Sequence, residues 1–312
     1  MANDPSWLLR QAAAALNPLL GRDLQSYLAA RAAFAAAPTQ PATIAVVGLT
    51  PGEGRSSVAA LLAATVAAYS QRTVHLLDPT ASDPGEQGRS AAALLGSDER
   101  AGGWLRLMAA TARSPMVHRR ALAATRTPGS AVPVLSNPPG VRCGPGQVVR
   151  TLQALRQRAD IVVIDTPADP GAPVLAGVLP HVDHFVMVVR GEGAVDRRLH
   201  TVLGWLAERT RTPYTASAVV VGRGLGSPNW SLQDVPVVLL PRDEGLRRRR
   251  LDRLGRQAAT AGLVLATEVL TSSALVPEPA GRRLGWGVGP MPPELAAQLR
   301  IAPGPNATAR RF

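Results

Sequence analysis

The alternation of short apolar segments with longer helical segments is the sequence feature that most constrains the fold. Runs rich in Val, Ile and Leu recur at residues 43–47, 73–77, 132–135, 160–164, 184–189, 216–221 and 235–239. Helical patterns lie among them, at residues 56–70, 147–158, 195–209 and 244–261. Several of the short runs are continuously apolar, which is typical of strands buried on both faces. The alternation therefore predicts an α/β fold in which helices flank a mostly parallel sheet.

The two ends of the chain differ from this alternating region. Residues 1–38 are predicted to be an N-terminal helical segment, because leucines recur there near helical spacing and an Ala-rich stretch follows. Pro38 and Pro41 then interrupt the helical pattern. Residues 39–272 are predicted to form the α/β domain. Residues 273–312 are rich in Gly, Pro and Arg and are predicted to be a flexible tail, with at most one short helix at 293–300.

Composition restricts the chemistry that the chain can perform. All 34 basic residues are arginine, so any reaction that needs a lysine amine is excluded. The single cysteine excludes an internal disulfide and a cysteine-based metal cluster. With a net charge of +12, the arginine run 247–250 could bind polyanions, although solvated helix faces would carry the same pattern. Aromatic residues are not interleaved with the arginines, so a stacking platform for single strands is not indicated.

A glycine-rich loop follows the first predicted strand and precedes a long Ala/Leu helix. This order of strand, loop and helix is the context that a phosphate-binding loop requires. Gly52 and Gly54 let the backbone turn its N–H groups toward an anion, and Ser56 could hold a magnesium ion that bridges two phosphates. The match to the phosphate-loop pattern is imperfect, because Leu49 occupies the first glycine position and Arg55 the lysine position. An ordinary Gly-rich turn between a strand and a helix is the alternative.

Two later strands end in an aspartate. Asp78 closes the run 73–77, and Asp165 closes the run 160–164. The carboxyl ends of strands face the ligand crevice of an α/β sheet, so both carboxylates are placed to hold magnesium-bound water and to orient a nucleophile. A single aspartate at a strand end is more often a turn or helix cap. Two of them after a glycine loop favour the functional interpretation.

With these residues the chain resembles the MinD/ParA branch of the P-loop ATPases, whose relatives include the bacterial tyrosine kinases. The phrase Pro51-Gly-Glu-Gly-Arg-Ser-Ser57 is similar to the Pro-Gly-Glu-Gly-Lys-Ser-Thr loop of those kinases, with Arg55 in place of lysine. Residues 160–167 match the family's second acidic strand nearly residue for residue. The order of elements after Asp165 is most similar to MinD-like proteins of actinobacteria, some of which accompany type VII secretion. The resemblance covers roughly residues 41–270.

The resemblance implies a site for ATP or ADP with Mg²⁺. Its phosphate contacts fall on the loop residues Gly52, Glu53, Gly54, Arg55, Ser56 and Ser57. It assigns the magnesium ion to Ser56 and Asp165. Asp78 takes a catalytic place on the first acidic strand, where the family has Asp-x-Asp. As the first aspartate it would organise the magnesium shell, and as the second it would orient the attacking water.

The resemblance also places the nucleotide base. Pro241 and Asp243 correspond to the family's Pro-x-Asp segment beside the base. Gly222 stands where relatives usually carry an asparagine that reads adenine.

Activity is where the chain departs from the family. The signature lysine that reaches across a dimer is Thr50 here, and the second loop lysine is Arg55. Because phosphoryl transfer depends on positioning and on stabilising charge, these losses predict slow hydrolysis or none. The leading hypothesis is a regulatory switch or scaffold with a degenerate phosphate loop. The alternatives are an active ATPase that uses Arg55 for the lysine, and a non-specific DNA-binding partition protein.

Partners and location are expectations from the same resemblance. A homodimer and a protein partner in a positioning or secretion system are implied, together with weak, non-specific contact to DNA or an anionic membrane. The N-terminus shows no basic residue ahead of an apolar stretch, so a secretory signal is not expected. The chain is therefore predicted to be cytoplasmic, with peripheral association with a membrane or nucleoid as an option.

Overall fold

In the part of the chain that the structure describes, seven parallel strands form one sheet. A computed structural model of the chain describes residues 22–38, 40–79, 90–96, 132–136, 143–156, 159–210, 213–222, 235–248 and 250–275. The strands are β1 (Ala42–Val47), β2 (Val74–Asp78), β3 (Val134–Ser136), β4 (Ile161–Asp165), β5 (His184–Arg190), β6 (Thr215–Gly222) and β7 (Val237–Pro241). Their order across the sheet is β3-β2-β4-β1-β5-β6-β7. The predicted α/β class with a parallel sheet is confirmed, and the strand bounds differ from the predicted ones by no more than two residues.

Helices cover both faces of this sheet. They are α1 (Arg22–Ala35), α2 (Arg55–Tyr69), α3 (Ala91–Leu94), α4 (Pro145–Arg156), α5 (Val174–Val178), α6 (Val195–Arg209), α7 (Glu244–Arg247) and α8 (Arg256–Ser273). Short 3₁₀ turns occupy Leu179–His181 and Leu251–Arg253. The short helices α3 and α5 were not predicted, because a single helical turn leaves too little periodicity to detect. The leucines of residues 8–20 and the predicted helix at 293–300 lie outside the described residues.

Two hydrophobic clusters, one on each face, hold the sheet between the helices. Successive residues of β1 alternate between them: Ile44 and Val46 belong to one cluster, and Ala45 and Val47 to the other. Since successive side chains of a strand point to opposite faces, every residue of β1 is buried. This double burial explains why the central strands are continuously apolar in sequence.

The N-terminal helix α1 is part of the first cluster. Phe34 is buried there, and its ring meets Tyr69 at the end of α2 edge-on, with ring centroids 6.5 Å apart. The hydroxyl groups of Tyr27 and Tyr69 are 2.7 Å apart, within hydrogen-bonding distance. Residues 22–35 therefore pack against the α/β domain through apolar and aromatic contacts.

The predicted helix over residues 244–261 is wrong. The chain forms α7, a 3₁₀ turn and then α8, which continues to Ser273. Asp243 explains the break, since its carboxylate accepts hydrogen bonds from Leu246 N at 3.0 Å and Gly255 N at 2.8 Å. One side chain thus satisfies backbone donors at the start of both helices, which requires the chain between them to fold back.

The topology brings the ends of the central strands together. Asp165 of β4 lies opposite Val46 of β1 in the parallel register, and Leu77 of β2 lies opposite Ile164. The loops after β1, β2 and β4 consequently leave the sheet at the same edge, where α/β sheets bind ligands.

None of the helices in the described part of the chain is both long and apolar enough to cross a membrane.

Candidate phosphate-binding site

The loop between β1 and α2 has the backbone conformation of an anion-binding turn. Gly54 precedes the first helical residue with φ 96°, and Gly52 has φ 78°. Both values lie in the left-handed region, which L side chains rarely adopt. The helix then begins at Arg55, and its first N–H groups face the loop. A helix N-terminus of this kind favours a bound anion through its free N–H groups and its dipole.

Gly48, the first residue after β1, is required by space. A Cβ atom at this position would lie 2.9 Å from each of three atoms: Arg55 Cδ, Glu53 Oε2 and Val188 O. The backbone of Val188 cannot move without disturbing β5. The glycine therefore lets the side chains of Arg55 and Glu53 pass beneath the start of the loop.

The Arg55 side chain lies within the site. Its Nη1 atom donates a hydrogen bond of 2.5 Å to the carbonyl oxygen of Thr166, the residue after β4. Thr166 is held in turn by Val46 O, which accepts from its hydroxyl at 2.8 Å and from its N–H at 3.2 Å. The guanidinium is thus tied to the ends of β4 and β1, and its charge acts on the nearby carboxylates of Asp165 and Glu53.

Ser56 and Asp165, the two predicted magnesium ligands, are brought close together. The Ser56 hydroxyl and the Ala91 N–H both lie close enough to the Asp165 carboxylate to lower its pKa. One carboxylate oxygen, Oδ1, is buried and has no hydrogen-bond partner among the described residues. Burial raises the pKa of Asp165, while Ser56 and the charge of Arg55 oppose this rise. A buried carboxylate oxygen beside a hydroxyl fits the oxygen ligands that Mg²⁺ prefers.

Asp78 ends β2 beside Asp165, because β2 and β4 are neighbours in the sheet. Its side chain is 1% exposed. The structure therefore places both strand-end aspartates at the same edge, next to the loop.

Glu53 and Ser57 occupy different environments in this loop. Glu53 is 2% exposed, and its Oε2 atom accepts a hydrogen bond from Thr50 N at 3.3 Å. Burial raises the pKa of Glu53, which Thr50 and the cation of Arg198 partly offset. Ser57 is half-buried in the first turn of α2. Glu53 therefore points beneath the loop backbone.

The predicted base segment lies at the far side of the same edge. Pro241 ends β7 opposite Gly222 of β6, so the two positions assigned to the base are adjacent. Two strands separate β7 from β1, which corresponds to about 14 Å at the usual strand spacing. Asp243, two residues later, uses its carboxylate to cap α7 and to accept from Gly255 N.

Sequence reasoning missed four residues that shape this site: Ala91, Thr166, Arg190 and Arg198. Ser90, which caps α3 through its hydroxyl, is a sequence signal that could have indicated the turn carrying Ala91. In the sequence, Arg198 is only the second member of an arginine doublet. No local pattern indicates that it forms an ion pair with Glu53, 145 residues earlier, at 3.6 Å.

Comparison with solved structures identifies the fold. A ParA family ATPase from Chlorobium tepidum TLS has a TM-score of 0.54 with 16% identity, over 76% of this chain and 99% of that one. The MinD protein of Pyrococcus horikoshii OT3, solved with Mg-ADP, has a TM-score of 0.52 with 17% identity, over 74% and 96%. A Cyanothece McdA variant, with one aspartate replaced by alanine and in complex with ATP, has a TM-score of 0.55 with 13% identity, over 75% and 97%.

The sequence matches no protein-family model and no curated protein. The likeness is therefore one of fold. The chain has the P-loop α/β fold of the ParA, MinD and McdA ATPases, as the resemblance in its loop and acidic strands predicts.

Proposed function

We propose that this protein binds ATP or ADP with Mg²⁺ and acts as a MinD/ParA-like regulatory switch or scaffold, with slow hydrolysis or none. The observation that carries the proposal is the proximity of Ser56 and Asp165, beside a left-handed glycine turn that leads into a helix N-terminus. Sequence places these two residues on separate elements, 109 positions apart. Their meeting beside the loop supports a site for a phosphate chain and its cation.

Different residues of the site would bind the phosphates, the Mg²⁺ ion and the base of the nucleotide. The loop N–H groups and the α2 N-terminus would hold phosphate, and Ser56 and Asp165 would hold Mg²⁺, which neutralises phosphate charge. Asp78 would organise the magnesium shell or orient the attacking water. Pro241 and Asp243 would border the base. The solved MinD with Mg-ADP and McdA variant with ATP support this choice of ligand.

Slow or absent hydrolysis is proposed because the loop lacks both family lysines. At the second lysine position, Arg55 uses Nη1 to bind the Thr166 carbonyl. At the first, Thr50 carries no charge, and its N–H is donated to Glu53. Fewer groups therefore remain to stabilise the charge that develops during phosphoryl transfer.

One observation favours the second candidate, an active ATPase. The Arg55 guanidinium stays inside the site, close enough to Asp165 for their charges to interact, instead of extending into solvent. A cation retained at this position could clamp phosphate in place of lysine, although its planar shape differs from a compact amine.

Titration with a fluorescent ATP analogue, with and without Mg²⁺, tests the proposal. The wild-type chain is expected to bind in a Mg²⁺-dependent way, and Asp165→Asn is expected to remove that dependence. Asp196→Asn, an equal charge change at an exposed position in α6, serves as the control. Phosphate release measured on the same samples separates a switch from an ATPase. A wild-type chain that binds neither ATP nor ADP would refute the proposal.

A homodimer and a protein partner in a positioning or secretion system belong to the same proposal. They are supported by the resemblance of the loop and acidic strands to proteins of that kind. A cytoplasmic location, with peripheral association with a membrane or nucleoid, is proposed on the same basis.

A further inference from the structure

Two arginines from one segment of the chain reach the phosphate loop. Arg190 ends β5, and Arg198 lies in the first turns of α6. Arg190 Nε donates a hydrogen bond of 2.9 Å to Gly52 O, and Arg198 Nη1 lies 3.6 Å from Glu53 Oε1. Neither arginine belongs to the loop motif. The segment that joins β5 to α6 therefore contacts the loop at two consecutive residues.

The contact with Arg190 orients one peptide group of the loop. The peptide between Gly52 and Glu53 is trans, as are all the described peptides. The C=O and N–H groups of a trans peptide point in opposite directions. Because Gly52 O faces Arg190, the N–H of Glu53 points away from Arg190. The arginine thus determines the direction in which this loop donor can bind an acceptor.

The contact with Arg198 supplies a positive charge to the buried carboxylate of Glu53. Glu53 is 2% exposed and lies between Arg198 and the loop backbone, where Oε2 accepts from Thr50 N. A buried carboxylate that loses its cationic partner is strongly unfavourable, so it must move or become protonated. Either change would alter the acceptor that holds Thr50 and, with it, the start of the loop.

The Arg198 guanidinium also binds backbone carbonyl groups of the connection between β5 and α6. Arg198 Nη2 donates to the carbonyl oxygens of Arg190 and Glu192. Glu192 is paired in turn with Arg242, which follows β7. One side chain consequently joins the β5–α6 connection to Glu53, with donors arranged in a fixed planar fork that lysine lacks.

We propose that Arg198, together with Arg190, is a positioning residue that holds the phosphate loop in its anion-binding conformation through Glu53 and Gly52. The role in nucleotide binding rests on the proposed function. In this protein the loop conformation depends on arginines outside the motif, and this dependence can be measured with or without nucleotide.

The first test is a double-mutant cycle on the full chain, read as affinity for a fluorescent ATP analogue with Mg²⁺. Arg198→Ala is expected to weaken binding by about tenfold or more, because it removes the ion-pair partner of the buried Glu53 and leaves only the weaker influence of Arg55. In a Glu53→Gln background, the same substitution is expected to change affinity by less than about threefold, since no buried charge remains. Arg197→Ala, at the exposed neighbouring position, controls for the loss of one positive charge.

The second test measures amide hydrogen exchange of residues 48–54 without ligand. Arg198→Ala is expected to speed exchange in this segment, and Arg197→Ala is not. Arg198→Lys should restore protection only in part, because a compact ammonium group cannot span the three acceptors that the guanidinium reaches from two nitrogens. A loss of thermal stability would not by itself explain faster exchange confined to these residues.

The outcomes separate the two proposals. A wild-type chain that binds no nucleotide would refute the proposed function, while hydrogen exchange would still decide whether Arg198 positions the loop. Equal exchange in the wild type and in Arg198→Ala would overturn the positioning role. An effect of Arg198→Ala on affinity that is equally large in the wild-type and Glu53→Gln backgrounds would overturn the route through Glu53.

Discussion

The guanidinium of Arg55 is held between two elements of the candidate site. The side chain crosses Gly48, donates to Thr166 O at 2.5 Å and acts electrostatically on Asp165. A long planar cation is thereby kept where relatives of the proposed class have a compact amine. Substitution of this one residue can therefore show whether the cation binds phosphate.

If Arg55 binds phosphate, Arg55→Ala is expected to weaken binding of the ATP analogue by ~1.5–3 kcal/mol, the usual contribution of a hydrogen bond to a charged group. If Arg55 serves only Thr166, the substitution should leave binding unchanged. Phosphate release should stay near background in the wild type and in Arg55→Ala. Arg197→Ala provides the matched loss of charge. Wild-type turnover that collapses in Arg55→Ala would favour the active ATPase instead, and Arg55→Lys should then retain or increase turnover.

His184 is a buried residue whose protonation makes the stability of the fold depend on pH. Its ring is buried between β5 and β6, with Nδ1 2.7 Å from Thr215 Oγ1 and Nε2 2.9 Å from Ser217 Oγ. Burial lowers the pKa of His184 from 6.5 to about 3. The neutral ring is therefore the form that the fold stabilises.

The sign of the pH dependence follows from proton binding. Between about pH 6.5 and pH 3 the unfolded chain binds a proton at His184 that the folded chain does not. The free energy of unfolding is therefore expected to fall on acidification through this window, by up to about 1.4 kcal/mol per pH unit from this group. Denaturant unfolding of His184→Gln should show a correspondingly shallower pH dependence. Parallel curves for the two proteins would contradict the assignment.

At the scale of elements, the packing of α5 against α4 depends on a glycine. A Cβ atom at Gly177 would lie 2.4 Å from Pro145 O and 2.9 Å from Pro145 Cα, both of which are backbone atoms. Gly204 in α6 offers the opposite case, because no described atom beyond its chain neighbours and its own helix backbone lies within 4 Å of its Cβ position. Alanine substitutions at the two glycines therefore compare a crowded helical position with an open one.

Gly177→Ala is expected to destabilise the protein by about 1–3 kcal/mol, because the helices must separate to admit the methyl group. Gly204→Ala should stabilise it by up to about 1 kcal/mol through helix propensity. Thermal and denaturant unfolding would measure both changes. Equal effects of the two substitutions would show that helix propensity, rather than close packing, decides the outcome at Gly177.

At the scale of the whole molecule, the chain carries a net charge of +12, but the described arginines of the run 247–250 are paired with carboxylates. The arginine run 247–250 was predicted to lie on a helix, yet α7 ends at Arg247. Arg247 and Arg248 both pair with Glu244, and Arg250 forms two hydrogen bonds with Asp252 at 2.9 and 2.7 Å. These carboxylates compete with phosphate for the same guanidinium groups.

DNA binding is accordingly expected to be weak, independent of sequence and lost as salt rises from about 50 to 200 mM. Glu244→Gln should strengthen it by releasing Arg247 and Arg248. Asp196→Asn makes the same change in net charge without releasing this pair and should have a smaller effect. Mobility shifts across a salt series would provide the measurement, and affinity that does not depend on salt would exclude phosphate contacts.

Local patterns were enough to predict the fold class and much of the candidate site. The continuously apolar runs that became β1 and β4 show double burial in the sequence itself, since each residue faces one of two covered sheet faces. Gly52, Gly54 and Ser56 lie within a few residues of one another, so their chemistry and spacing can be read without a structure. The strand-end positions of Asp78 and Asp165 follow from the same kind of apolar run.

Contacts between distant parts of the chain were decided only by the tertiary structure. The sheet order brings β4 beside β1, and so brings Asp165 to Ser56. Arg198 reaches Glu53 because β5 lies on the other side of β1, and no local periodicity encodes that pairing. The break after α7 likewise depends on Asp243 meeting Gly255 across a reversal of the chain. Sequence determines which segments can be strands, helices or turns, whereas side-chain partners depend on how those segments pack.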